Sequence, residues 1–257
     1  MGSFAVTGVS FLDKFIYLNP GAISAEAPVV NFQYLRDAER IGGSAFIFSM
    51  LQHDMPSDNF MLIESPHVQS IRVRHVTSNA IVHVYEKMID RNLSTNLKIN
   101  LNNLNVEYLV LDLGKNFDSD FELEEKSANK LVNLRTENTH HINGALLVRT
   151  NKSIFDLICL SSGVTKGGIN EKVEAIRAIF NIQFLAVSLP HGQFIVCDSA
   201  GSKICQLPEN LASGLYIGEK FFVSLIAAYS LVDNSFDFEI FEEKFDNKIS
   251  KWGFDEI

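Results

Sequence analysis

Apolar and polar residues alternate with a period of two through much of the first third of the chain, the signature of strands that bury one face. VVNFQYL (29–35), SAFIFSML (44–51) and FMLIE (60–64) read as strands. HVQSIRVRHV (67–76) alternates as a half-exposed strand, with Val68, Ile71, Val73 and Val76 as its apolar members. NPGAISAEAP (19–28) and HDMPSDN (53–59) supply loop and turn chemistry between them. From Ser78 the period lengthens. Ile81, Val82, Tyr85, Met88 and Ile89 fall on one helical face, and Ser78 is placed as an N-cap, which predicts a helix. LKINLNNLNVEYLVLDLG (97–114) returns to strand, and DSDFELEEKSANKLVNL (118–134) predicts a helix whose acidic head suits the helix dipole.

The second half carries an internal echo. ALLVRTNKSIFDLICLSSG (145–163) and FLAVSLPHGQFIVCDSAGS (184–202) superpose so that Leu146 matches Leu185, Val148 matches Val187 and Phe155 matches Phe194. Each copy reads as strand, polar turn and second strand. Helix candidates follow them, INEKVEAIRAIF (169–180) and PENLASGLYIGEKF (208–221). Two readings stand: a duplicated ββα unit, or two hairpins obeying the same rules. The tail SFDFEIFEEKFDNKISKWGFDEI (235–257) places Phe238, Phe241, Phe245, Ile249 and Trp252 at helical spacing among charged residues. The predicted fold is α+β, dominated by antiparallel strands, with three or four helices. It divides into a β-rich part over 1–140 and a ββα-ββα part with the aromatic tail over 141–257, or forms a single domain over 1–257.

At 257 residues, 46% hydrophobic and 21% charged, the chain is long enough for a sizeable core, built on 20 phenylalanines and a single tryptophan. A net charge of −9 excludes bulk electrostatic binding to nucleic acid or anionic membranes. Cys159, Cys197 and Cys205 are too few and too irregularly spaced for a disulfide framework or a metal motif, so they read as reduced thiols of an intracellular protein. Cys159 and Cys197 sit in apolar runs and are expected to be buried and inert. The start MGSFAVTGVSF has neither a basic nor an apolar leader region, Val6 breaks a myristoylation signal, and Phe221–Val232 is too short to span a bilayer.

No phosphate-binding glycine loop, dinucleotide fingerprint, nucleophile elbow or zinc-protease helix is present. His67, His75 and His83 lack metal-ligand spacing, and His53, Asp54 and Asp58 lack the regularity of a calcium loop. Asp120 with Glu124, Glu125 and Lys126 has the outline of a nuclease carboxylate–lysine set inside an acidic helix. TKGGINEK (165–172) sets a glycine pair before a helix, which reads as an anion site or as a turn and cap. No cofactor or metal is expected.

The sharpest candidate lies over residues 141–231. His141 precedes the strand NGALLV, a second strand and a helix follow, and Gln206 stands ahead of Ser213-Gly214 and a long apolar run. In outline this resembles the SUMO- and ubiquitin-like proteases, the adenovirus-type proteinases and the YopJ-type acetyltransferases. The resemblance implies a cysteine-peptidase-like or acyltransferase-like enzyme, with His141 as base, Gln206 as oxyanion donor and Ser213 at the nucleophile position. The position of the acidic member falls near Cys159, and Asp156 is three residues early, so such an enzyme would be degenerate. FLAVSLPHGQFIVCDSAG can equally be laid on papain-like hairpins, with Asp198 as the acid, or on proteasome-type opening strands.

With no complete site, these features predict a non-catalytic structural or assembly protein that acts by self-association, with a virus or phage particle as one setting. The expected partner is the chain itself or another protein, met through Phe238, Phe241, Phe245 and Trp252.

Overall fold

The computed structural model describes residues 2–8, 10–24, 30–64, 70–77, 80–88, 106–114, 129–207, 217–230 and 235–251. An eight-stranded sheet runs through the middle of the molecule. Its strands are β1 (Ser3–Gly8), β4 (Asn59–Glu64), β7 (Tyr108–Leu113), β8 (Asn129–Leu134), β9 (Leu147–Asn151), β10 (Phe184–Ser188), β11 (Gln193–Asp198) and β12 (Gly201–Gln206). The order is β12-β11-β10-β9-β8-β7-β1-β4. Every neighbouring pair from β4 across to β10 is parallel, and only β10–β11 and β11–β12 are antiparallel. This corrects the expectation of an antiparallel-dominated fold. Parallel strands are covered on both faces, so they read as continuous apolar runs that alternation cannot orient. YLVLDL of β7 is buried at every position.

Two layers of helices cover the sheet. On one face α1 (Ser44–Asp54), α4 (Ile217–Ala228) and α5 (Phe238–Lys251) pack over Val6, Val110, Leu131 and Leu147. On the other, α2 (Lys152–Ser161) and α3 (Ile169–Ile179) pack over Leu111, Val132, Val148 and Val187. A second sheet, in the order β3-β2-β5-β6, is formed by β2 (Ser10–Ile23), β3 (Val30–Gly43), β5 (Ser70–Thr77) and β6 (Ala80–Met88). Its Phe11, Phe15 and Val76 join the first of the two cores. A short pairing of β13 (Tyr229–Ser230) with β14 (Ser235–Phe236) links α4 to α5. The large sheet takes strands from both sides of residue 140, with β8 paired directly to β9.

Local differences from the sequence reading have identifiable causes. SAFIFSML forms helix α1, because Phe46, Ile47, Met50 and Leu51 make one buried helical stripe as readily as a strand face. Ser78 lies outside the described residues, and the helix expected after it is instead strand β6, paired antiparallel with β5, with β-branched Val84 opposite Arg74. The end of the predicted helix at 118–134 is strand β8, and 115–128 lie outside the described residues.

The internal echo proves half real. Its first strands, β9 and β10, are parallel neighbours with Val148 opposite Leu185. Their continuations then diverge, so no ββα unit is repeated. Asn151 caps a helix by accepting a hydrogen bond from the Ile154 amide at 3.0 Å, and Phe155, Ile158 and Cys159 of α2 turn inward. In the second copy, Pro190–Gly192 reverses the chain with φ 58° at His191 and 71° at Gly192, producing the β10–β11 hairpin.

Candidate functional site

Buried polar side chains gather at the carboxyl ends of β7 to β10. Asp112 lies opposite Asn133, and Asn133 opposite Arg149, in a lateral row across three parallel strands. Each sits two residues beyond Val110, Leu131 and Leu147, so the alternation of strand side chains points the row to the face that α4 covers. Gly8 lets β1 approach this row: with φ +148°, a Cβ there would fall 2.4 Å from the Asp112 carbonyl oxygen.

The row is one hydrogen-bonded chain. Arg149 donates from Nη1 to Asn133 Oδ1 at 3.1 Å and from Nη2 to Ser188 Oγ at 3.1 Å. Asn133 Nδ2 donates to Asp112 Oδ1 at 2.7 Å. Arg135, just past β8, donates to Asp112 Oδ2 at 2.5 Å and to Glu219 Oε1 at 3.2 Å. Glu219 stands in the first turn of α4, where the helix dipole favours a carboxylate. Gly218 beside it admits the guanidinium of Arg149, since a Cβ there would lie 3.0 Å from Nη1 and 3.4 Å from Cζ.

Burial governs the electrostatics. Asp112 is fully enclosed, and desolvation raises its carboxyl to about 6 even though Arg135 pulls the other way. Desolvation likewise lowers the Arg149 guanidinium to about 10. Arg149 is only 6% exposed, yet among the described residues no carboxylate forms an ion pair with it. Its Nε is buried without a hydrogen-bond partner; the Phe221 ring lies 5.7 Å away, and Glu219 and Asp112 favour its charge from beyond hydrogen-bond contact. A buried cation held only by neutral acceptors is costly by itself and is well matched to an anion.

Arg149 also lines a cavity of about 270 Å³, together with Ser188, Leu189, His191, Leu207, Ile217 and Phe221. One wall is the 190–192 turn. Gln206 fixes it by donating from Nε2 to the His191 and Leu207 carbonyls, both at 3.0 Å, and the Leu207 amide donates to Gly192 O at 2.9 Å.

Of the peptidase-like set, Gln206 therefore serves as a clamp on the cavity wall. His141 lies in the turn before β9, at the amino end of the parallel strands, whereas Gln206 borders their carboxyl end. Ser213 lies outside the described residues. The second strand that the resemblance requires is helix α2, so Asp156 and Cys159 are helical. Asp156 pairs on the surface with Lys152.

The aromatic tail faces inward. Phe241 and Phe245 are fully buried, with ring centroids 5.1 and 5.8 Å from Phe221 of α4, and Phe238 is half-buried against the same core. Trp252 lies outside the described residues. The three thiols are buried. His75 and His83 meet across β5 and β6, Nδ1 to Nδ1 at 3.4 Å, while His67 and Asp120 to Lys126 lie outside the described residues. The amide of Gly168 in TKGGINEK donates to Glu171 at 2.9 Å, so that helix start is capped by its own glutamate.

Arg149, Asn133, Asp112 and Glu219 were missed. Three of them carried a signal: Asp112, Asn133 and Arg149 each follow an apolar run within a strand, in YLVLDL, NKLVNL and LVRTN. Such residues are costly to bury and are seldom there for packing.

No protein-family model matches the sequence, and no curated protein matches it. Similarity appears in three dimensions. A carbohydrate kinase from Agrobacterium tumefaciens superposes with a TM-score of 0.60 at 9% identity, covering 99% of this chain and 92% of that one. A ribokinase from Thermotoga maritima gives 0.57 at 9% identity, with 97% and 100% covered. A Methanocaldococcus jannaschii nucleoside kinase, described as an archaeal member of the ribokinase family, gives 0.52 at 10% identity, with 96% and 99% covered. These neighbours are enzymes. They overturn the expectation of a non-catalytic assembly subunit or viral protein, and the peptidase-like or acyltransferase-like alternative with it. A mostly parallel central sheet between helices, with a smaller second sheet, is the ribokinase-like fold, and that is the fold of this chain.

Proposed function

We propose that the protein is a phosphotransferase that moves a phosphoryl group from a nucleotide-type donor to a hydroxyl of a small polyhydroxylated acceptor, of the sugar or nucleoside class. The observation that carries this reading is Arg149, a buried guanidinium without a carboxylate partner among the described residues, lining a cavity at the carboxyl edge of a parallel sheet. Ligands of open α/β sheets bind at that edge. The names of the structural neighbours supply the acceptor class.

Each group then has a chemical task. The donor's anionic end meets Arg149, while Leu189, Leu207, Ile217 and Phe221 offer apolar surface to its body. Preorganised positive charge stabilises the transferring group without reorganisation during the reaction. Between the two carboxylates, Asp112 has no exposed side-chain surface, whereas Glu219 keeps 9%. Glu219 is therefore assigned as the acceptor of the hydroxyl proton, oriented by Arg135.

The test is incubation with a nucleoside triphosphate and a panel of sugars and nucleosides, followed by mass spectrometry of the products. A phosphorylated acceptor is expected, with Glu219→Gln slowing turnover by about 100-fold or more, the usual worth of a general base. No product across the panel, or full activity in Glu219→Gln, would overturn the assignment.

A further inference from the structure

Enzymes that transfer phosphoryl groups commonly use a divalent cation, held by carboxylates, to neutralise the phosphates. The donor set here fits that role poorly. Both oxygens of Asp112 are already acceptors, one for Asn133 at 2.7 Å and one for Arg135 at 2.5 Å. Glu219, the other carboxylate, is bound by the same guanidinium at 3.2 Å. A magnesium ion needs about six oxygens near 2.0–2.1 Å and sheds water reluctantly. Here it would share each carboxylate with Arg135 while facing Arg149, and two guanidinium charges oppose it.

The opposite charge is well provided for. Arg149 is anchored on both sides by neutral acceptors, Asn133 and Ser188, so its positive charge is positioned without being cancelled by contact. Gly218 leaves its guanidinium room against the first turn of α4, whose amide dipoles add positive potential at the same point.

We infer that the site binds the phosphates of its ligand through the fixed guanidinium charge of Arg149, with Arg135 bound to both carboxylates, and holds no divalent cation of its own. This rests on the phosphotransferase reading and specifies how that site handles charge. The consequence is that phosphate-ligand affinity is set by Arg149 and is independent of magnesium.

The test is calorimetric titration of the wild-type chain with pyrophosphate and with ADP, once in EDTA and once in millimolar magnesium, beside a titration with manganese alone. Binding of similar strength in both buffers, within about threefold, is expected, with no manganese site tighter than millimolar. Arg149→Met should weaken binding by about 10- to 100-fold, the scale of lost charge-assisted hydrogen bonds, and Arg149→Lys should restore part of it. Thermal transitions of both variants establish that they are folded. Binding that appears only with magnesium, or a micromolar manganese site, would overturn the inference and leave the phosphotransferase reading standing. No binding of either ligand in either buffer would remove both. Wild-type affinity in a folded Arg149→Met would show that the ligand lies elsewhere.

Discussion

Replacing Gly218 by alanine separates a helix that merely contains a glycine from one that makes room for Arg149. Considered alone, α4 should gain from the change, since alanine is favoured over glycine in a helix by up to about 1 kcal/mol. The backbone at this position carries no left-handed strain to offset that gain. The new methyl would, however, lie 3.0 Å from Nη1 and 3.3 Å from Nη2 of Arg149. A shift of a few tenths of an ångström is needed. The guanidinium has little freedom to yield, because Nη1 and Nη2 are each held by a hydrogen bond, at 3.1 Å to Asn133 and to Ser188. Bonds from a charged donor are worth roughly 1.5–3 kcal/mol, so partial loss of one cancels the helical gain. The expected net effect is between zero and about 1 kcal/mol of destabilisation by urea unfolding, with roughly tenfold weaker pyrophosphate binding. Stabilisation of about 1 kcal/mol with unchanged affinity would refute the account of this contact.

Phe245→Ala should cost about 3–5 kcal/mol in chemical denaturation, because the ring is fully buried between Phe221 and Phe241. Unchanged stability accompanied by a smaller mass in light scattering would return the tail to an interface. Asp112 has its folded-state carboxyl raised from 3.8 to about 6, so the native state holds more protons than the unfolded chain between those values. Stability from this residue is present below about pH 4 and is lost as the pH rises through 6, by at most about 3 kcal/mol. Relative to Asp112→Asn, whose side chain does not titrate, the wild type should lose up to that much stability across the window, and parallel pH profiles would contradict the argument. Cys159, Cys197 and Cys205 are buried and burial raises each thiol, so all three should react slowly with a thiol reagent until the chain is unfolded. Fast stoichiometric labelling of the native protein would contradict their placement.

The amino-acid pattern located most elements that bury one clear stripe. The strand at 70–77, helix α3 and helix α5 stand where periodicity puts them. It misled where two periods fit the same residues, as in SAFIFSML, or where β-branched residues mimicked a helical face, as in Ala80–Met88. Strand direction was not legible, because a strand buried on both faces carries no mark of which neighbour it joins. The site was half legible. Asp112, Asn133 and Arg149 are each conspicuous in an apolar run, but their convergence depends on β7, β8 and β9 being parallel and in register, which only the fold supplies. His141, Gln206 and Ser213 are residues of the right chemical kind in sequence order. Two of these the structure assigns to opposite ends of the sheet.

Thermal unfolding of the wild type and of Arg149→Met in rising pyrophosphate tests the central claim most directly, that a buried cation in this fold is completed by a phosphate ligand. A ligand that binds only the native state adds about 2.7 kcal/mol at a concentration 100 times its Kd. The account predicts a wild-type midpoint that climbs with the logarithm of pyrophosphate concentration, and in the variant a climb displaced to about 10- to 100-fold higher concentration. A level wild-type midpoint, or the same climb in both proteins, would contradict it.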